Sequence, residues 1–233
     1  MNPASTETEA DADDRAARVW SAPRRTRWLL IACALLAVAL TIAIGVGPMP
    51  WPGDVPLARA IQALLLAGPG WAQWLSHTAE APREFVVLAI VIALGAWWVN
   101  ARGGLLAIAS FVGMWILDKL LRLVIFKPRP DPSLIHVVGG HPPGSSFPST
   151  FALIYGATFG YLALLGAARA RGGTRVAALT IGIVLLVAGF GARVVLGAHW
   201  PSEVVVSYLV ALVWADFLLR WVPPAHNTTE RME

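Results

Sequence analysis

Long apolar runs limit what this chain can become. Residues 28–46 carry no charged side chain, enough to cross a hydrocarbon core of roughly 30 Å as one helix. The run also exceeds the roughly 7 to 15 residues of a cleavable signal core, so it reads as a retained transmembrane helix. Further apolar runs follow at about 84–99, 105–126, 148–165, 176–196 and 201–222. In a chain of 233 residues, 57% hydrophobic and 14% charged, they predict an all-α polytopic membrane protein with six transmembrane helices. Between the first two lies a shorter stretch, 55–79, broken by Gly68-Pro69-Gly70 and carrying Gln62, Gln73, Ser76 and His77 beside Trp71 and Trp74. It reads as a helical segment lying at the interface, with His77 an interfacial polar residue. Asn100 to Gly104 reads as a tight turn between helices 2 and 3.

These runs divide the chain into a disordered tail at 1–27, a membrane domain at 28–222 and a short tail at 223–233. Six spans place both termini on one side. That side receives the arginines of the N-terminal tail, Arg102, and Arg169, Arg171 and Arg175, so the positive-inside rule makes it cytoplasmic in a plasma or inner membrane. The other face receives 47–83, 127–147 and 197–200. Of 18 basic residues only Lys119 and Lys127 are lysines. Basic residues that flank apolar runs suit loop anchoring and exclude nucleic acid as the expected partner. The single cysteine, Cys33, precludes an intrachain disulfide and reads as a small buried hydrophobe.

Charged groups beside hydrocarbon are costly, which makes them functional candidates. Three segments of the outer face hold them. The first contains Arg122 and Arg129, seven residues apart, which project in similar directions if the helix persists. Two guanidinium forks suit a phosphate. In the second, Pro148 suits a first helical position with Ser146 as cap, which places Ser149 and Thr150 in a first turn able to hold an anion. In the third, Glu203 follows His199 by four residues and can orient its ring, while Arg193 brings a third fork. The titratable groups show no metal-ligand spacing, so no metal or other cofactor is expected, the arginines supplying the positive charge.

These segments resemble the three signatures of the type 2 phosphatidic acid phosphatase (PAP2) superfamily, the membrane lipid-phosphate phosphatases. Arg122 with Arg129-Pro130 matches the first, with arginine where lysine is commoner. Arg193, His199 and Glu203 match the third, with Ala192 for serine and glutamate for aspartate. The resemblance implies a phosphorylated lipid substrate among membrane lipids. It implies His199 as a nucleophile forming a phosphohistidine, helped by Glu203 and Arg193, and Arg122, Arg129, Ser149 and Thr150 as the phosphate-binding set. The second signature departs: Pro148-Ser149-Thr150-Phe151 stands for Pro-Ser-Gly-His, and that histidine is the family's general acid.

A general acid is worth about 10² to 10⁴ in rate. Phe151 therefore leaves three readings: a lipid diphosphate substrate, whose leaving phosphate needs little protonation; a stand-in donor, His141 before His136; or a lipid-phosphate binding protein or phospholipid transporter that has lost turnover. The nucleophile, its carboxylate and three arginines favour narrowed catalysis.

Overall fold

The computed structural model describes residues 24–65, 68–140 and 143–222. Every regular element among them is helical: α1 (Arg24–Val46), α2 (Asp54–Leu65), α3 (Gly70–His77), α4 (Arg83–Trp98), α5 (Ala101–Val124), α6 (Thr150–Arg169), α7 (Gly172–Val195) and α8 (Pro201–Leu219). The expected tails fall on residues outside the described ones, except that α1 already begins at Arg24. Five helices, α1, α5, α6, α7 and α8, are long and apolar enough to cross a membrane. The sixth expected span, α4, has 16 residues, fewer than the roughly 20 that cross a bilayer without help. The segment expected between helices 1 and 2 is present as α2 and α3, separated at Gly68-Pro69.

The bundle is built around α6, of which 78% is buried, whereas α1 is 11% buried and turns Leu29, Leu35, Val38 and Ile42 outward. In a lipid solvent such apolar surface needs no cover. Helices α4 and α5 pair, α6 pairs with α7, and α8 lies against α1, α5 and α6. Between Thr150–Tyr155 and Tyr161–Arg169, α6 widens into a π-helical turn at Gly156–Gly160, a distortion often found near functional sites.

Local sequence sets where these helices begin. The stretch at 100–104 is not a free turn: Asn100 caps α5 by accepting from Gly103 N at 2.8 Å, so both glycines lie in the first turn. A Cβ on Gly104 would stand 2.6 Å from the Ile92 carbonyl, so glycine is what lets α4 and α5 touch. Helix α6 begins at Thr150, later than expected, because Ser149 is its cap, accepting from Ala152 N. Ser146 has another task.

Two clasps draw α2 over the end of the bundle. Asp54 accepts from Ser202 N at 2.9 Å and Ser202 Oγ at 2.8 Å, joining the starts of α2 and α8. Gln62 donates to the carbonyls of His136 at 2.7 Å and Val194 at 3.1 Å, and accepts from His136 N. One buried amide thus ties the loop after α5 to the end of α7.

Candidate active site

A cavity of about 490 Å³ opens where α5 and α7 end and α6 and α8 begin. Arg122, Arg129, Arg193 and His199 all line it, with Thr150 and Phe151 from the start of α6. Arg102, at the start of α5, and the turn between α6 and α7 lie at the other end of these helices.

The arginines converge for a reason other than helical phase. Helix α5 stops at Val124 and Ile125 is extended, so Arg129 is carried on a proline-stiffened strand of chain. The Ser145 carbonyl brings the two together: Arg122 Nη1 donates to it at 2.7 Å and Arg129 Nη2 approaches it at 3.5 Å. Arg129 Nη1 also donates to the Ala198 carbonyl at 2.9 Å, next to His199. Burial, and after it the neighbouring Arg122 charge, lower the Arg129 pKa below its ordinary value. A bound dianion would relieve both costs. Arg193 Nη1 donates to Ser76 Oγ at 2.9 Å, its Nε has no hydrogen-bond partner among the described residues, and its guanidinium lies 5.5 Å over the Phe151 ring. Lys127 points away, its Nζ bound to the Gly47 carbonyl at 2.7 Å.

His199 is 2% exposed. Its Nδ1 lies 3.6 Å from Glu203 Oε2, beyond hydrogen-bond length, and the Glu203 oxygen is engaged elsewhere. It accepts from Ser146 Oγ at 2.5 Å and from Trp200 N at 3.0 Å. Glu203 is the third residue of α8, and a glutamate there reaches back to the amide that starts the helix. It therefore holds the backbone directly after His199 and ties it to the 145–147 loop, acting on the ring only indirectly.

Burial, followed by Arg193, Arg129 and Arg122, lowers the His199 pKa well below its ordinary value. The imidazole is neutral at neutral pH, as a nucleophile must be. Below pH about 6.5 the unfolded chain takes up a proton here that the folded chain refuses, so folding stability is full above that pH and falls as pH drops through it. Melting temperatures in detergent from pH 8 to 5 should therefore decline more steeply for the wild type than for His199→Gln. Parallel curves would contradict a neutral buried ring.

Thr150 and Phe151, the two departures from the second signature, take opposite parts. The Thr150 hydroxyl donates to Asp118 Oδ1 at 2.7 Å and accepts from Arg122 Nη2 at 2.8 Å, while Arg122 Nε donates to the same carboxylate oxygen at 3.0 Å. A glycine could not close that triangle. Thr150→Val should remove two hydrogen bonds to charged groups and lower stability by about 1–3 kcal/mol, read by unfolding in detergent; an unchanged midpoint would show the triangle to be idle. Phe151 stacks on Tyr155, with ring centroids 4.0 Å apart. A Cβ on Gly189 would come 2.7 Å from the ring, so that glycine gives the phenyl its room.

Ser149 is buried, is spent on its cap and on a bond from its amide to Ser207 Oγ, and does not line the cavity. His136 lines a separate shallow groove with Arg59 and Gln62. His141 lies outside the described residues. Conversely Ser76, Glu80, Asp118 and Lys119 form part of the wall. Of these, Ser76 and Glu80 come from the α2–α3 region, and nothing in local sequence ties them to Arg193.

A family model described as "PAP2 superfamily" matches residues 102–226. The chain belongs to the PAP2 superfamily. Two relatives are decaprenylphosphoryl-5-phosphoribose phosphatases of Mycobacterium tuberculosis, strains CDC 1551 / Oshkosh and ATCC 25618 / H37Rv. Each is 30% identical over 164 residues, covering 66% of this chain and 82% of the relative. The crystal structure of a transmembrane PAP2 type phosphatidylglycerolphosphate phosphatase from Bacillus subtilis superposes with a TM-score of 0.58 over 88% of this chain and 97% of that one, at 16% identity. It shares the fold. As a PAP2 protein with several helices long and apolar enough to cross a membrane, the chain is a multi-pass membrane phosphatase.

Proposed function

We propose that this protein hydrolyses lipid phosphates and lipid diphosphates at the outer face of the membrane through a phosphohistidine on His199. The observation that carries the reading is that His199 and three arginines line one cavity. Attack by Nε2 on phosphorus is met by Arg122, Arg129 and Arg193, whose charge is in place before the transition state forms and so needs no reorganisation. Glu203, Ser146 and Thr150 act on the site by positioning. Water then cleaves the phosphohistidine. With α4 as the sixth crossing, both termini are cytoplasmic: the arginine-rich end lies inside and the cavity outside.

Phe151 favours lipid diphosphates of the polyprenyl kind, because a departing phosphate needs no donor. The relatives' name points to a phosphorylated sugar on a polyprenyl phosphate, a second chemistry for the same cavity, in which the leaving group is an alcohol. Phosphate release by the detergent-solubilised chain, measured on a lipid monophosphate and on a lipid diphosphate, tests the reading. Retained binding with no release from either would instead support a lipid-phosphate binding protein or transporter.

A further inference from the structure

Position 151 offers the leaving group no proton, yet two carboxylates line the same cavity. Asp118 is committed: its Oδ1 accepts from Arg122 and Thr150, and Lys119 Nζ stands 3.5 Å from Oδ2. Glu80 is different. It stands in the turn after α3, and its Oε2 lies 2.8 Å from His77 Nδ1, both side chains being more than half exposed.

That turn borders the part of the cavity where the histidine of the second signature would stand. Leu75 and Ala79 pack in one apolar cluster with Phe151 and Tyr155, and Ser76, one turn before Glu80, holds Arg193 beside the Phe151 ring. Glu80 thus reaches the cavity from the Phe151 side, whereas His199 comes from the loop before α8. The charges around it are Arg193 from α7, Asp118, Lys119 and Arg122 from α5, Arg129, and on its own side His77 and Glu84. A phosphoryl group between the arginines would have its nucleophile on one side and this carboxyl on another.

We infer that Glu80, backed by His77, is the proton donor to an alcohol leaving group in place of the side chain that Phe151 lacks. The inference rests on the reading of His199 as nucleophile. In the first step the proton transferred is the one between His77 Nδ1 and Glu80 Oε2, and the His77 ring keeps its Nε2 proton. As His199 Nε2 bonds to phosphorus, the bond from phosphorus to the leaving oxygen breaks, its electron pair stays on that oxygen, and the oxygen takes the proton from Glu80. In the second step a water attacks the phosphohistidine and gives a proton back to the Glu80–His77 pair. The P–N bond breaks, its electrons return to Nε2, and inorganic phosphate leaves. A diphosphate needs the first transfer far less.

The test is steady-state kinetics of the full chain in detergent on a lipid monophosphate and a lipid diphosphate. Glu80→Gln should lower kcat on the monophosphate by about 10²-fold with KM little changed, and lower it on the diphosphate by a factor at least about tenfold smaller. His77→Gln should act in the same direction more weakly, again lowering kcat on the monophosphate with KM little changed. Equal losses on both substrates, or no loss on the monophosphate, would overturn the assignment. So would a wild type that turns over the diphosphate alone, which leaves the His199 reading standing. Monophosphate turnover that survives His199→Ala would overturn that underlying reading instead, and no release from either substrate would overturn both.

Discussion

His199→Ala is expected to remove phosphate release from lipid monophosphates and diphosphates alike, by at least about 10³-fold, because no other neutral imidazole lies among the described groups of the cavity wall. The loss should fall on kcat, since the three arginines that line the cavity are untouched. With labelled substrate and a rapid quench, the wild type should carry an acid-labile, base-stable phosphate that the variant lacks. Release that continued in the variant would remove the nucleophile from the mechanism, whatever the arginines bind.

Phe151→His should act the other way and on one substrate class. Histidine is smaller than phenylalanine, and the space opened by Gly189 and floored by Tyr155 admits it without movement of the backbone. A full general-acid gain of about 10² to 10⁴ is too much to expect, because Glu80 would already serve the same oxygen. The Arg193 guanidinium, 5.5 Å from the ring at this position, would disfavour the protonated imidazole that has to donate. An increase of about tenfold in monophosphate kcat, with the diphosphate rate nearly constant, is the expected outcome. A flat monophosphate rate would mean that the leaving group already has its donor or that protonation does not limit turnover.

Much of this site was legible in the sequence, because spacing within one segment survives folding. Arg193, His199 and Glu203 lie on a single stretch that turns from α7 into α8, so their proximity needed no knowledge of the rest of the chain. Glu203 stands among the neighbours its spacing predicts, with a partly different task. Glutamate at the third position of a helix prefers the amide that starts the helix, and its extra methylene takes it past the ring that an aspartate would be expected to hold.

Convergence between segments was harder to read. Arg122 and Arg129 looked like helical neighbours, yet the helix ends between them and a carbonyl 16 residues beyond Arg129 joins them. The roles of Ser76 and Glu80 were not legible at all. Polar residues in a short interfacial helix have many possible tasks, and only the tertiary fold lays α3 across α7. Thr150 was expected to bind phosphate. The structure occupies its hydroxyl with Asp118 and Arg122, two residues of another helix that no local pattern connects to it.

The order in which the chain is made gives the α2–α3 region a further consequence. Asp54 and Ser76 are synthesised early, but their partners, Ser202 and Arg193, lie 148 and 117 residues later. During insertion the roof of the cavity therefore waits beside a bundle that has not yet acquired its last two helices. Contacts of such long sequence separation form late. The arginine-lined chamber is among the last parts of the molecule to assemble, and a nascent chain holding only its first five or six helices has neither His199 nor a closed cavity to expose.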